Sequence, residues 1–385
     1  MLHTLKNLFK KNRVESVSKV KTEDLTILIP SKDRPKQLSA LLKYFANNHI
    51  PYKIIILESG HSYRSLLADY PTLDIELHEF DPDILFGKKM LSGAELIKTP
   101  LVCLCADDDL VFKNAMEESA EFLKLHPEYS ACQGYHGRFE EKGQDFYLMD
   151  FWWYHPSIES NDPLERLQEL ICRYQPVCWS VLRTDVFLWM HHRFIDIKTP
   201  LFFELFWSSM ATIAGKVKRL PSLYGLRKND TIVVFGHPRY LFAESPENFC
   251  KDYLAYRTCL EKALKIDDKF KRRSLDLMHT CLFHQAADQG FLRYVTQQSL
   301  KHPESSILNP ACYPSVTLPT TCFTEKNSLT IKRGNRTYHF AAKFLNPQPA
   351  EEICVPKNFH LKLMDDLDMF TRQQDACVLE EAFIE

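Results

Sequence analysis

The sequence predicts an α/β fold, and three observations predict it. Short β-rich apolar runs recur at 25–30, 53–57 and 101–105, each the length of a strand buried on both faces. Segments between them repeat apolar residues every three to four positions, the helical period. A further run, 74–80, alternates polar and apolar residues as a half-exposed strand does. Together these give the pattern of a mostly parallel mixed sheet flanked by helices.

The elements follow in order. Strand 25–30 runs into the polar loop Ser31-Lys32-Asp33-Arg34, and Pro35 suits the first turn of a helix. Leu38, Leu41, Leu42 and Phe45 give that helix one apolar face, to about residue 48. Strand 53–57 stops at Glu58-Ser59-Gly60, and a helix over 87–97 leads into the run at 101. Right-handed crossovers bring Pro30, Glu58 and Asp107 to one carboxyl edge. Further on, 114–125 reads as helix, 130–139 as strand, and 162–171 as a helix opened by Asp162-Pro163. Then come a strand at 178–183, a helix at 201–213, and strand or loop at 217–220 and 222–226. Beyond about Gly236, segments 246–264 and 267–287 look like amphipathic helices, and 328–340 has a hairpin pattern around Gly334-Asn335. Three regions result: a basic leader over 1–22, an α/β domain over 23–236, and a mainly helical accessory region over 237–385.

Composition narrows the class. A chain of 385 residues exceeds the usual single core, and 45% hydrophobic with 25% charged residues is ordinary for a globular protein. The net charge of -2 speaks against a nucleic-acid binder. Twelve scattered cysteines without a C-x-x-C pair suggest neither a zinc site nor a dithiol redox motif. They fit reduced thiols in the cytoplasm. No run reaches the ~18 apolar residues of a membrane span. The leader sets Lys6, Lys10, Lys11, Arg13, Lys19 and Lys21 against Glu15 alone. It reads as a frayed basic segment or as a weak peripheral contact with the inner membrane face.

The chemistry concentrates at Ala106-Asp107-Asp108-Asp109, where an apolar run ends in three carboxylates. At the carboxyl end of a buried strand they occupy the edge where open α/β sheets bind ligands. Were the segment extended, Asp107 and Asp109 would point the same way and Asp108 elsewhere. Two convergent carboxylates suit Mg²⁺ or Mn²⁺, hard cations that bridge a diphosphate. A solvated acidic turn is the plainer alternative.

The ordered set 26–35, Ile56-Leu57-Glu58-Ser59-Gly60 and 106–109 resembles family-2 glycosyltransferases of the GT-A fold, in a bacterial family-2-like subgroup. Arg166 in Glu165-Arg166-Leu167 and Tyr174 in Arg173-Tyr174-Gln175-Pro176 are similar to that subgroup too. The resemblance covers a little over half the chain. It implies transfer of a sugar from a nucleotide-diphosphate donor, a UDP-sugar foremost, to a hydroxyl of a glycan or other acceptor. Inversion at the sugar, Mn²⁺ or Mg²⁺ as cofactor, and a place in cell-surface polysaccharide synthesis come with it.

The resemblance also implies site residues. Pro30, Ser31, Asp33 and Arg34 would line the nucleobase pocket. Glu58 stands where the family usually has an Asp that contacts uracil or ribose. Gly87 and Lys88 match the segment passing over the nucleotide, and Asp108 belongs to the same donor-facing acidic stretch. Asp107 would contact ribose or the cation's water, and Asp109 would ligate the cation. A bound cation neutralises charge growing on the leaving diphosphate, and inversion needs a base for the acceptor hydroxyl. Glu204 matches that base; flanked by Phe203, Phe206 and Trp207 it would be partly desolvated, a setting that strengthens a base. Trp152, Trp153 and Tyr154 would stack on an acceptor sugar or sit in the core. Arg166 would pair a phosphate or a structural carboxylate.

Two rivals use the same residues. A glycosyltransferase-like scaffold without activity would not need both Asp109 and Glu204. A phosphatase forming an aspartyl-phosphate fits Asp107-x-Asp109-x-Val111, but two α/β units precede it here, whereas that motif follows a first strand.

Overall fold

The computed structural model describes residues 20–60, 62–143, 145–151, 156–193, 197–228, 245–284, 329–333 and 336–340, with Met364 and Asp366. Four parallel strands form the N-terminal half of the sheet in the order β3-β2-β1-β4: β1 (Leu25–Ser31), β2 (Lys53–Glu58), β3 (Ile75–Glu79) and β4 (Leu101–Leu104). Their connections are α1 (Pro35–Asn47), the short α2 (Arg64–Leu67) and α3 (Phe86–Leu96).

The period of two along each strand sorts residues to two cores. Leu25, Ile27, Ile29, Ile54, Ile56 and Cys103 pack on one face against Leu41 and Phe45 of α1 and Met116 and Leu123 of α4 (Lys113–Leu125). Leu28, Ile55, Leu57, Val102 and Leu104 pack on the other, where Met90 and Ala94 of α3 meet them. Each such side chain taken fully out of water contributes about 1.5–3 kcal/mol. This is why those strands read as unbroken apolar runs.

Beyond β4 the sheet is mixed. Strand β8 (Val181–Arg183) lies antiparallel to β4 and to β6 (Tyr129–Lys142). Strand β7 (Asp145–Phe151) pairs antiparallel with β6. The long β9 (Lys216–Lys228) runs parallel to β6 and antiparallel to β5 (Asp109–Val111). The expected hairpin is β10 (Leu329–Arg333) with β11 (Arg336–Phe340), and β11 joins the same sheet beside β7; its turn at Gly334-Asn335 lies outside the described residues.

The second face is covered by α5 (Pro163–Cys172), α6 (Thr184–His191), α7 (Pro200–Ala214), α8 (Pro246–Leu264) and α9 (Lys269–His284). Asp162 caps α5, its Oδ1 accepting from Leu164 N at 2.7 Å and Glu165 N at 3.0 Å. The segment leading into α7 is held by another helix: Asp252 Oδ2 on α8 accepts from Lys198 N at 2.8 Å and Thr199 N at 2.7 Å.

The strand expected at 101–105 is β4, and the chain turns at 105–108 into the short β5, an element not expected from the sequence. The pieces read as strand or loop at 217–220 and 222–226 form one strand. A strand also occupies 145–151, a stretch given no element in the sequence except Phe151, read as loop. Residues 1–19 of the leader lie outside the described residues. Among those described, no helix is long and apolar enough to cross a membrane.

Candidate functional site

The parallel register puts Ser31 opposite Glu58 at the carboxyl edge of β1 and β2, with the turn after β4 beside them. A cavity of about 550 Å³ opens there, lined by Pro30, Ser31, Lys32, Asp33, Arg34, Ser59, Phe86, Lys89 and Asp107. Its size is that of a nucleotide-scale pocket.

Its floor is a knot of loop residues. Asp33 takes φ 54 and donates its N–H to Glu58 Oε1 at 3.3 Å. Gly60 is required, since a Cβ there would lie 2.0 Å from Asp33 Oδ1 and 2.9 Å from Glu58 Oε1. Arg34 N donates to the Tyr63 hydroxyl at 2.6 Å. Glu58 is 1% exposed and its Oε2 has no hydrogen-bond partner. A buried acceptor left open in this way is costly unless a ligand supplies the donor.

The three aspartates do not divide as an extended strand would divide them. Asp107 and Asp108 share Arg34, whose Nη1 lies 3.2 Å from Asp107 Oδ1 and 2.6 Å from Asp108 Oδ2. Ser31 Oγ donates to Asp107 Oδ2 at 2.8 Å. Asp109, in the next strand, faces Arg227 across the β5–β9 ladder, with Nε to Oδ2 at 3.4 Å. The turn at 105–108 is the reason.

Burial, reinforced by Asp108, pushes the Asp107 carboxyl up to about 6 against the pull of Arg34. Burial pushes Asp109 up to about 7, with Arg227 opposing and Asp108 and Asp107 reinforcing. The two guanidiniums only partly offset the cost of burying these carboxylates. The cluster's oxygen-only donors are of the type that suits a hard dication, but they are split, Asp107 and Asp108 on Arg34 and Asp109 on Arg227. Among the described residues no group of three or more His, Cys, Asp or Glu side chains encloses a metal position.

The segment before the aspartates differs from expectation by one residue. Lys88 is exposed and Gly87 is buried without lining the cavity, whereas Lys89 is 3% exposed and points into it. One helical step is ~100°, enough to exchange the two lysines. Lys89 Nζ donates to Ser31 O at 3.0 Å and Ser59 Oγ at 2.8 Å, bracing the ends of β1 and β2. Burial pulls its ammonium down to about 8, partly offset by Glu58 and Asp107. Two adjacent lysines on a helix of uncertain phase gave no way to choose between them.

Glu204 lies in the second turn of α7 and is half-buried. Phe203, Phe206 and Trp207 are buried around it, yet its own oxygens meet polar groups instead of rings. Tyr174 donates to Oε1 at 3.0 Å, and Trp179 Nε1 lies 3.5 Å from Oε2. Arg227 links this acid to the aspartates: its guanidinium stacks 5.9 Å from the Trp179 ring, and the charges of Asp109 and Glu204 both raise its pKa against burial. Tyr174 was visible in sequence as a motif residue; Trp179 carried no signal there.

Arg166 does not face an acceptor or a carboxylate. It donates to Thr212 O and Ile213 O at 2.7 Å each, and to Ser160 O and Asn161 O, tying off the end of α7. Helix ends leave carbonyls without partners, and Arg166 satisfies two of them. Trp152, Trp153 and Tyr154 lie outside the described residues.

No family model matches the chain, and no curated protein matches it in sequence. Among solved structures it is similar to S. aureus TarS 1–349, at 11% identity over 75% of this chain and 89% of that one, with TM-score 0.42. For the same TarS segment in complex with UDP-GlcNAc the figures are 12%, 75%, 89% and 0.43. Against a longer TarS structure they are 10%, 82%, 60% and 0.39. Overlaps this loose assign neither a family nor an activity.

Proposed function

We propose that the chain is a glycosyltransferase of GT-A type that moves a sugar from a nucleotide-diphosphate sugar to an acceptor hydroxyl. One observation carries the reading: Arg227 is ion-paired with Asp109, two residues from the cavity-lining Asp107, and also feels the charge of Glu204, the acid of the facing helix. A donor in the cavity would then have its reacting carbon between a cationic, carboxylate-bearing rim and a general base.

Each residue has a task in that reading. Glu58 Oε2 accepts from the nucleoside, and the imide N–H of uracil or a ribose hydroxyl supplies what it lacks. This is the support for a UDP-sugar. Lys89 and Arg34 keep the pocket floor cationic toward phosphate oxygens. Arg227 stands where negative charge develops as the diphosphate departs. A divalent cation held by Asp107 and Asp109 would add Lewis-acid stabilisation of that leaving group. Glu204, oriented by Tyr174 and Trp179, takes the proton of the attacking hydroxyl, which is the task of a base in an inverting displacement. Polysaccharide or other glycan synthesis at the cytoplasmic side, with the basic leader touching the membrane, is the setting that suits these parts.

Hydrolysis of UDP- and GDP-sugars with Mn²⁺ tests it. Asp109→Ala should lower turnover at least 100-fold. Glu204→Gln should lower it by about 10²–10⁴, the usual range for a positioned base, with UDP affinity within twofold of the parent. Equal donor affinity with and without metal, or unchanged turnover in Asp109→Ala, would overturn the assignment.

A further inference from the structure

A second cavity of about 530 Å³ lies away from the donor-facing one, between α5 and the segment 156–158. Glu165, Gln168, Glu169 and Cys172 line it, spaced so that one face of α5 carries all four. At its base is Gln175, 2% exposed. Arg219 donates to Gln175 Oε1, which fixes the amide so that its NH₂ end is left for a ligand. Arg219 is held in turn by the Gly134 carbonyl and by the Tyr135 ring, 5.5 Å away. Ser157 Oγ accepts from Arg219 N at 3.0 Å and keeps its own proton to donate.

The cavity is joined to the chemistry by three consecutive residues. Arg173 and Gln175 line it, while Tyr174 between them donates to Glu204 Oε1 at 3.0 Å. Neighbouring Cα atoms are about 3.8 Å apart, so the cavity wall starts one residue from the partner of the candidate base. Residues 173 and 175 of this non-helical segment turn to the cavity and Tyr174 turns across it to Glu204, so an extended acceptor would have to pass over the segment to touch both.

We propose that the cavity is a distal acceptor subsite and that its occupant is an uncharged, hydroxyl-rich saccharide. The proposal rests on the glycosyltransferase reading above. An amide NH₂, a hydroxyl, carboxylates and a guanidinium together match hydroxyls that both donate and accept. Glu165 and Glu169 against Arg173 leave the wall negative, which disfavours a phosphate- or uronate-bearing chain.

The test is calorimetric titration of the full chain with chitotetraose and maltotetraose as neutral probes, trigalacturonate as the anionic one, and UDP in parallel. Gln168 is exposed on α5, so Gln168→Trp fills the cavity mouth without entering the core. The expected result is that at least one neutral tetrasaccharide binds, that Gln168→Trp weakens it tenfold or more, and that UDP affinity stays within twofold. Glu169→Lys should raise trigalacturonate affinity at least fivefold. The subsite is overturned if UDP binds and neither neutral probe does, if Gln168→Trp leaves saccharide affinity unchanged, or if trigalacturonate is the better ligand of the parent chain. A parent chain that binds no nucleotide overturns the glycosyltransferase reading and this one with it.

Discussion

Two buried polar networks sit on this sheet, and they are built to different ends. At the strand edge, Asp107, Asp109, Lys89 and Glu58 have displaced protonation or an open lone pair, and Asp107 and Lys89 line a cavity. At the junction of α7, α8 and α9 the groups are comparably buried and mostly answer one another, Arg257 Nε keeping an ion pair with Glu261 at 3.2 Å but no hydrogen bond. Tyr253 and Arg257 both donate to Asp276, and Arg257 and Arg272 meet Glu261. Ser209, Tyr256 and His279 form a chain that ends on Leu275 O. The difference is what separates a binding site from a structural joint: burial perturbs both, but the strand edge sets an open acceptor and protonation-shifted groups beside a cavity, while the junction pairs its charges with one another.

The comparison breaks most visibly at Asp276, which is fully buried. Asp276→Ala strands the Arg257 guanidinium and the Tyr253 hydroxyl together. Removal of one partner from a buried pair costs about 3–5 kcal/mol. Urea unfolding should show that loss, with the midpoint falling and α8–α9 exchanging amide hydrogens faster. A midpoint within the error of the parent would mean the junction is as unfinished as the strand edge.

Acid is the second lever, and it acts through His279. The ring is fully buried, its Nδ1 donating to Leu275 O at 2.7 Å and its Nε2 accepting from Tyr256 at 2.9 Å. Burial holds its pKa down at about 4, below the ordinary 6.5. The unfolded chain therefore takes a proton that the folded chain refuses. The stabilisation is complete above 6.5 and is lost as the pH falls toward about 4, to a limit of roughly 3 kcal/mol. Thermal unfolding followed from pH 7 to pH 4.5 should show that loss, and His279→Gln should flatten the slope. An unchanged slope in that variant would assign the acid sensitivity elsewhere.

These two networks were unequally legible. The strand edge announced itself, because buried strands read as apolar runs and their sudden polar ends mark the edge. Pro30, Glu58 and the aspartates were found that way, and Ser31 and Arg34 through the family resemblance; the structure brings Ser31, Arg34, Asp107 and Asp108 together. What escaped was whatever depends on phase or on a distant partner. Lys89 lost to Lys88 because helix phase was uncertain by one residue. The division of the aspartates between Arg34 and Arg227 was hidden because β5 exists only by pairing with β9, about 115 residues later. Arg166 was misread because its partners are backbone carbonyls, which carry no residue-specific signal. The α7–α9 junction was invisible for the same reason: Asp252, Tyr256 and Asp276 look like ordinary polar positions of amphipathic helices.

The smallest effect is the most discriminating, because it has the opposite sign in the two networks. Asp109 is 7% exposed and its carboxyl is pushed up to about 7 from 3.8. The folded chain thus holds this proton at pH values where the unfolded chain has released it. The resulting penalty is absent below about 4 and grows as the pH rises through 7. Asp109→Asn removes the charge and with it the penalty. It also deprives Arg227 of its ion pair, so only part of the gain survives, on the order of 1 kcal/mol at pH 8. Without added divalent cation, the variant should therefore unfold at a higher urea concentration than the parent at pH 8, and at the same concentration at pH 4.5. Mn²⁺ should stabilise the parent at pH 8 and do little for the variant, since a ligand raises stability only through the state that binds it. A site that gains stability when its chemistry is removed is one whose charges are arranged for a ligand rather than for the fold. Destabilisation by Asp109→Asn at pH 8 would place Asp109 with Asp276, as a structural partner of its arginine and nothing more.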